Sequence, residues 1–265
     1  MRKEFANYIN SNNITYKYAK GMRDIIGKEF HNYHEIFLFK GGDAEFVSEK
    51  FRQRLIPDTL IIIPADFFHQ FIVHGEESEY IRCVFNFDGT DELSELTDKK
   101  INDVRLIRAN DEITDIFKKL NKCYEEYGDS HNSRIAAKAY LTLLLLLLDD
   151  TEKSSGIIPV TFNPITYSAV KYINHNIKKQ LKISDIAKEL HVSVSYLNHI
   201  FKADLQISVH KYILDKKFLL INRRITLGEV ITHLASEYGF NDYSGFYKQY
   251  KKRFGVKPSA TTVKK

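Results

Sequence analysis

Apolar and polar residues alternate over short runs between residues 30 and 87, and turn-forming residues separate these runs. Residues 80–87 show the pattern well, because their odd positions are all apolar whereas Arg82 and Asn86 stand at even positions. Side chains alternate between the two faces of a strand, so this pattern predicts one core face and one semi-polar face. The segment 30–87 is therefore predicted to be rich in β-strands.

A further β signal is a pair of apolar runs, 35–40 and 44–47, on either side of Gly41, Gly42 and Asp43. These three residues are suited to the positive φ that a tight turn requires. The two runs are therefore predicted to form a β-hairpin.

Two longer segments, 112–127 and 133–148, have apolar residues at helical spacing. Leucines are so dense in the second segment that it requires burial on more than one side. Two interpretations remain open: a helical hairpin packed on the β-rich segment, or a hairpin that also forms a dimer interface. Residues 151–163 lack periodicity and contain Ser, Gly and Pro, which is typical of a linker.

Residues 183–204 have the pattern of two short helices joined by a tight turn, after an earlier helix that begins at Asn163 and Pro164. The small side chain of Ala187 lets two helices cross closely. We expect Ser184 and Ser193 to cap the two helices. The outward face of the second helix is predicted to carry Ser195, Asn198, His199 and Lys202.

A second copy of this pattern follows, in which residues 231–239 repeat residues 183–191 and Ala235 takes the place of Ala187. Residues 209–224 are predicted to connect the copies as one long helix. The last helix begins at Asp242, and its outward face is predicted to carry Tyr243, Ser244, Tyr247, Lys248, Lys251 and Lys252. Two such units on a rigid helix can present both second helices to one face of DNA, about 34 Å apart.

The charge distribution points the same way. The chain of 265 residues has a net charge of +5, but residues 163–265 hold 18 basic and 7 acidic residues and the remainder has a net charge of −6. This asymmetry predicts a C-terminal module that binds a polyanion. The alternative, a solvated basic tail, is not excluded by charge alone.

Neither targeting nor redox signals suggest secretion. Cys83 and Cys123 have no neighbouring cysteine and no zinc-ligand spacing, which predicts reduced thiols. Residues 1–10 lack the apolar core of a signal peptide, and the most apolar run, 141–148, is far shorter than the roughly 20 residues that cross a bilayer. We therefore expect a cytoplasmic protein without a membrane span.

The string GFNDYSGFYKQYKKRFGVKPS at residues 239–259 is the most specific motif of the chain. The first unit contributes Ile186, Ala187, Ser193, Leu197, Phe201 and Lys202. Through these residues, residues 165–260 resemble the DNA-binding domain of the AraC/XylS family. The sequence departs from that family at Leu205 and Gln206, which stand where a glycine is usual near the end of the first outward helix. It also departs at Lys217 and Ile221, which replace the usual arginine and alanine, and at Gly245, which replaces a usual aromatic residue.

The resemblance implies roles for the outward residues. It implies base contacts from Ser195, Asn198, His199, Tyr243, Ser244 and Lys248. It implies phosphate contacts from Lys202, Lys251 and Lys252, which would add affinity and salt dependence without selectivity. An asparagine amide can bind a base edge, whereas a histidine can also contact a phosphate.

The N-terminal half resembles the cupin-like barrel that precedes the DNA-binding domain in many AraC-type regulators, through residues 30–34 with Glu35, the predicted turn, and then Asp58, Pro64 and His69. The resemblance covers about residues 15–90 and implies a pocket for a small molecule such as a sugar. The pocket candidates are His31, His34, Phe37, Phe39, His69, Tyr80 and Arg82. The alternative for each of them is a place in the barrel core.

Two rival functions are a metal-dependent enzyme and a DNA architectural protein. In a metal-dependent cupin enzyme, His31, His34, Glu35 and His69 would hold a metal, but residues 31 and 34 of a strand face opposite sides. A DNA architectural protein would need no sensor half. Because the sequence contains neither a phosphate-binding glycine loop nor a nucleophile elbow, we expect no catalytic residues, no metal and no cofactor.

The sequence therefore predicts an α+β protein: a cupin-like β-barrel with a helical hairpin (1–150), a linker (151–163) and an all-α double helix-turn-helix domain (164–265). The predicted function is sequence-specific regulation of transcription under the control of a small-molecule effector; the resemblance implies activation, and repression is the alternative. The predicted partners are double-stranded promoter DNA, the effector, a second copy of the chain in a homodimer, and RNA polymerase.

Overall fold

The computed structural model describes residues 5–11, 13–21, 31–76, 79–89, 93–148 and 160–260. These residues fall into two compact units, one within Met1–Glu29 and Tyr33–Val160 and the other within Phe30–Asn32 and Thr161–Lys265. The first unit combines β-strands with helices and the second is built from helices, so the predicted α+β class is confirmed. Most of the predicted linker, residues 151–159, lies outside the described residues.

The first unit contains more strands than the sequence pattern predicted. Its strands are β1 (Phe5–Asn10), β2 (Ile14–Lys20), β3 (His34–Gly41), β4 (Ala44–Ser48), β5 (Phe51–Arg54), β6 (Thr59–Ile63), β7 (His69–Val73), β8 (Ile81–Phe87) and β9 (Arg105–Arg108), and β10 (Val160–Thr161) lies at its boundary. Its helices are α1 (Ser94–Lys100), α2 (Asp111–Tyr127) and α3 (His131–Leu147).

The strands form two antiparallel sheets. The larger sheet has the order β1-β2-β8-β3-β6-β9, and the smaller sheet contains β5-β4-β7 in that order. The expected barrel is therefore realised, in the described residues, as two separate sheets.

The predicted hairpin between β3 and β4 is wrong. Strand β3 lies between β8 and β6 in the larger sheet, so both of its edges are already paired, and β4 pairs with β5 and β7 in the other sheet. The turn between them does contain a positive φ, of 103° at Gly42. It carries the chain from one sheet to the other.

Both faces of the larger sheet are buried, and each face packs against a different layer. Ile36 and Leu38 of β3 join a core that includes residues of α2 and α3, such as Phe117. Phe37 and Phe39 join a second core that includes residues of the smaller sheet. In β8, Phe85 joins the first core and Val84 joins the second, so the alternation predicted for residues 80–87 is confirmed. The first unit is a stack of helices, sheet and sheet.

The second unit is helical. Its helices are α4 (Pro164–His175), α5 (Ile183–Glu189), α6 (Val194–Leu205), α7 (Val209–Thr226), α8 (Ile231–Glu237) and α9 (Tyr243–Phe254). As predicted, Asn163 caps α4 and accepts a hydrogen bond from the Ile165 N–H at 2.9 Å, and Pro164 occupies the first turn. None of the helices in the described part of the chain combines the length and the apolar character that a membrane crossing requires.

Candidate functional site

The second unit contains the same helix pair twice. Helices α5 and α8 have seven residues each, and α6 and α9 have twelve each. The turns also match: the Val192 N–H donates to the Ala187 carbonyl at 3.0 Å, and the Phe240 N–H donates to the Ala235 carbonyl at 2.9 Å. Both alanines are 2% exposed. The two predicted helix-turn-helix units and the role of their alanines are therefore confirmed.

Each turn needs one residue in the left-handed region of backbone space. His191 has φ 54° in the first helix-turn-helix unit and Gly239 has φ 77° in the second helix-turn-helix unit. The side chain of His191 is exposed, whereas a Cβ at Gly239 would lie 2.9 Å from the backbone N of Gln180. Only the second turn therefore requires glycine for close approach as well as for conformation.

Side chains cap both outward helices. The Ser193 hydroxyl accepts a hydrogen bond from the Tyr196 N–H at 3.1 Å, as predicted. The Asp242 carboxylate accepts hydrogen bonds from the N–H groups of Ser244 and Gly245, at 2.9 and 2.8 Å. A Cβ at Gly245 would lie 2.6 Å from that carboxylate, which explains the glycine at this position.

The predicted cap at Ser184 is wrong. Helix α5 begins at Ile183, and Lys182 is its N-cap residue without a side-chain cap. Ser184 therefore lies inside the first turn, where its hydroxyl contacts the Asp185 carboxylate at 3.4 Å. A serine caps a helix only from the non-helical position that precedes the first turn.

Helix α6 presents most of its predicted contact residues to solvent. Ser195, His199 and Lys202 are exposed. Asn198 is half-buried, and its Nδ2 donates to the Val194 carbonyl at 3.1 Å, so a base contact would exchange that bond. Tyr196, which the pattern of inward apolar positions did not mark, is 46% exposed beside Ser195. Its hydroxyl adds a hydrogen-bonding group that a full helical projection of the sequence would have shown.

Helix α9 is the more basic of the two outward helices. Tyr243, Ser244, Lys248, Lys251 and Lys252 are exposed, and Tyr247 is half-buried. The helix contains four basic residues and no acidic residue, whereas α6 contains one of each. Positive charge therefore concentrates in α9, and α6 offers mainly neutral hydrogen-bonding groups.

In the first unit, four of the predicted pocket residues come together on the face of β3 and β8 that looks toward the smaller sheet. The rings of Phe37 and Phe39 lie 6.4 and 6.2 Å from the ring of Tyr80. The guanidinium of Arg82 lies 4.4 Å from the same ring, and its Nη1 donates to the Gly21 carbonyl at 2.6 Å. Phe37 also stacks on Phe71 at 4.1 Å. We call Phe37, Phe39, Tyr80 and Arg82 the inner-face cluster.

The predicted histidines do not all join this cluster. His69 is fully buried on the same side, with its Nε2 3.8 Å from an oxygen of Glu35. His34 lies on the opposite face of β3, where its ring packs 5.6 Å from Phe87 of the other core. His31 is buried in the short segment Phe30–Asn32, which groups with the second unit. The structure therefore does not bring His34 together with Phe37, because successive side chains of a strand point to opposite faces.

Helix α3 leaves an apolar stripe exposed. Ile135, Leu143 and Leu146 are 57%, 41% and 60% exposed. They follow one another at helical spacing with Ala139 and Thr142, on the side away from the buried Leu141, Leu144 and Leu145. An open groove of about 840 Å³ lies against this helix and is lined by Ser11, Leu93, His131, Arg134, Ile135, Lys138, Ala139 and Thr142. We call Ile135, Ala139, Thr142, Leu143 and Leu146 the α3 stripe.

Comparison with known proteins reveals several similarities. The chain is 34% identical over 94 residues to the Msm operon regulatory protein of Streptococcus mutans, across 34% of this chain and 32% of that protein. The match thus spans about a third of the length of this curated relative. The C-terminal domain of AraT, a response regulator from Geobacillus stearothermophilus, is 23% identical with a TM-score of 0.38, over 39% of this chain and 91% of that one. ToxT from Vibrio cholerae is 14% identical with a TM-score of 0.39, over 98% of this chain and 96% of that one.

Two family models match the chain. The AraC-like ligand binding domain matches residues 11–145, just over half of the chain, and the helix-turn-helix domain matches residues 186–263. The first match covers strands β2 to β9 and nearly all of the α2–α3 pair, and the second covers both outward helices. The chain therefore belongs to the AraC family, with an AraC-like ligand binding domain followed by a helix-turn-helix domain.

Proposed function

We propose that this protein regulates transcription by binding double-stranded promoter DNA with α6 and α9 together. The observation that carries the proposal is the repeated helix pair, in which two capped twelve-residue helices expose polar and basic side chains while their inner faces are buried. An α-helix of this kind fits the major groove and can read base edges there. Two readers in one chain would require two DNA segments at a defined spacing.

The proposed contacts divide by chemistry. Ser195, Asn198 and His199 of α6, with Tyr243, Ser244 and Lys248 of α9, are proposed to contact bases. Lys202, Lys251 and Lys252 are proposed to contact phosphates, because long cationic side chains at the helix surface reach the backbone of DNA without reading its sequence.

The selection of bound sequences from random duplex DNA tests this proposal. Wild-type protein should yield a motif with two segments about one helical turn apart. Asn198→Ala should weaken the sequence preference in one segment, and Lys248→Ala should weaken it in the other. Each substitution should cost about 1–3 kcal/mol of binding free energy. Lys188→Ala, on the exposed surface of α5, is the matched control and should leave the motif unchanged. A motif that tolerates both Asn198→Ala and Lys248→Ala, or no motif at all, would contradict the assignment.

We propose that the inner-face cluster contacts a small-molecule effector such as a sugar. Aromatic faces beside one guanidinium combine apolar contact area with fixed hydrogen-bond donors, which is the usual composition of a small-molecule site. The proposal is tested by the melting temperature of the full chain against a panel of sugars, since a ligand at 100 times its Kd should add about 2.7 kcal/mol of stability. Tyr80→Leu should abolish the shift, whereas Tyr127→Leu on α2 should retain it. If no compound shifts the melting temperature, or if Tyr80→Leu responds like wild type, the cluster is only core.

A homodimer is proposed to form through the α3 stripe, with a second copy of this chain as the partner. Apolar side chains at helical spacing would be buried by a symmetric contact of the same stripe on another protomer. The effector would then act by favouring one dimer arrangement, and hence one arrangement of the DNA-binding units, through the linker at 151–163. Activation through contact with RNA polymerase is the output that the family resemblance implies. An effector that changes neither DNA affinity nor the preferred spacing of sites would contradict this coupling.

A further inference from the structure

A buried lysine bridges the two helix-turn-helix units. Lys217 lies on the connecting helix α7 and is 5% exposed. Its Nζ donates to the carbonyl of Lys179, in the loop before α5 of the first helix-turn-helix unit. It also donates to the carbonyl of Tyr238, the residue that follows α8 of the second helix-turn-helix unit. Both distances are 2.7 Å. One side chain therefore ties the loop before α5 and the residue after α8 to the helix that connects the two helix-turn-helix units.

The residues on either side of these two carbonyls also meet. The Nζ of Lys178 lies 2.7 Å from a carboxylate oxygen of Glu237. A Cβ at Gly239 would lie 2.9 Å from the backbone N of Gln180 and 3.1 Å from its Cα. Three consecutive loop residues, 178–180, thus face three consecutive residues, 237–239, with the Lys217 ammonium between the central pair. We call these contacts the unit junction.

The junction combines two kinds of constraint. An ammonium removed from water needs hydrogen-bond acceptors, so Lys217 holds both carbonyls at a set distance. The backbone of Gln180 against Gly239 leaves no space for a side chain, so the units cannot approach closer or slide without a clash. In the first helix-turn-helix unit, the equivalent turn position is His191, whose side chain is exposed. The close approach is therefore a property of the junction and not of the turn type.

The junction lies close to both proposed reading helices. Gly239 is separated from the start of α9 at Tyr243 by three residues, of which Asp242 is the cap. On the other side, Gln180 is followed within three residues by α5, which packs on α6. A shift at the junction would therefore move α9 relative to α6.

We infer that Lys217 and Gly239 are positioning residues that determine the spacing between the two DNA segments that the protein accepts. The inference rests on the proposed function, in which α6 and α9 each read one segment. Loss of the junction should therefore make the protein more tolerant of altered spacing between the two DNA segments. It should have a smaller effect on the affinity for either segment alone.

Binding of the full-length protein to duplexes tests the inference, with the two selected segments moved apart or together by one and two base pairs at fixed salt. Two base pairs displace one segment by about 7 Å and rotate it by about 70°. Wild-type affinity should fall at least about tenfold at that displacement, a difference of about 1.4 kcal/mol. In Lys217→Met, the affinity for the displaced duplex should fall less than about threefold below that for the original spacing. Lys217→Arg, which restores the hydrogen-bond donors, should recover most of the wild-type difference.

Matched variants separate the junction from general effects on the fold. Gly239→Ala should relax spacing as Lys217→Met does, whereas Gly255→Ala, also at a positive φ but with nothing within 4 Å of its Cβ, should keep the wild-type profile. Lys188→Met is the control for loss of a lysine charge at an exposed position. If Lys217→Met and Gly239→Ala weaken binding equally at every spacing, Lys217 and Gly239 are structural only and the inference is overturned.

A DNA-independent measurement distinguishes failure of this inference from failure of the proposed function. Spin labels at Ala203→Cys on α6 and Gln249→Cys on α9, in a Cys123→Ser background, report the distance between the two helices in the free protein. Wild type should give one narrow distribution, and Lys217→Met or the milder Glu237→Gln should broaden it. Equal widths would overturn the junction whatever the DNA result. A broadened distribution in a protein that selects no DNA motif would retain the junction and reject the DNA-reading role.

Discussion

The ends of α6 and α9 offer a reciprocal test of how this sequence terminates its outward helices. Gln206 follows α6 with φ 54° and ψ 19°, and Gly255 follows α9 with φ 72° and ψ −10°. Each residue donates its N–H to a carbonyl of its own helix at 2.9 Å, to Lys202 and Lys251 respectively. The two caps therefore have the same geometry, and only the first is built from a residue with a side chain.

The magnitude follows from this geometry. Left-handed backbone costs a residue with a Cβ about 1–2 kcal/mol, and the greater freedom of glycine in the unfolded chain offsets about 0.4–1 kcal/mol of that. Gln206 also loses an exposed hydrogen bond from its Nε2 to the Ala203 carbonyl when it is replaced. We expect Gln206→Gly to raise the free energy of unfolding of the second unit by about 0.5 kcal/mol, and Gly255→Gln to lower it by about 0.5–1 kcal/mol.

The assay is thermal unfolding of the full chain, followed by circular dichroism at 222 nm and by calorimetry. For a unit of about 100 residues, 0.5 kcal/mol corresponds to a change in Tm of about 2–4 °C. The double variant, which exchanges the two caps, should lie near wild type because the sites share no contacts. A lower Tm for Gln206→Gly, or an unchanged Tm for Gly255→Gln, would refute the cap argument.

Three further predictions concern the first unit and the junction. Leu146→Glu should weaken self-association at least about tenfold by sedimentation equilibrium, since burial of one leucine per protomer is worth about 1.5 kcal/mol, and Tyr127→Glu should not. Hydrogen bonds, first from Arg224, lower the pKa of Glu237 from 4.5 to about 2; its stabilising contribution is therefore present above pH 4.5 and is lost as the pH falls toward 2, and urea titrations of Glu237→Gln should lack this loss. Burial lowers the pKa of Lys217 from 10.5 to about 8, so the unfolded chain binds more protons between these values and wild type should gain stability relative to Lys217→Met as pH rises from 8 to 10.5; a flat difference would contradict the burial argument.

Local patterns predicted the elements whose own residues contain the signal. The repeated 183–191 and 231–239 segments, the cap at Ser193 and the alternation in 80–87 depend on neighbours within a few positions, and the structure confirms each of them. The same alternation rule, applied to β3, places His34 and Phe37 on opposite faces, so the sequence alone could have separated these two pocket candidates.

Other features of the first unit depend on pairing between distant segments. Strands β1 and β2 were not predicted, because their half-exposed residues give a weak pattern until β2 pairs with β8. The sequence at 41–43 predicts a hairpin wrongly, since a positive φ near Gly42 does not reveal which strands occupy the edges of β3. The exposure of Leu146 beside the buried Leu145 likewise depends on which side of α3 the larger sheet covers.

The sequence by itself determined the family, the two helix-turn-helix units and the basic, outward character of α9, because helical spacing, caps and charge are written in adjacent positions. Only the tertiary structure decided that Lys217 joins carbonyls 38 and 21 positions away and that Gly239 abuts Gln180. Such contacts depend on how separate elements pack against one another. A local sequence pattern therefore does not specify which distant residues meet after the chain has folded.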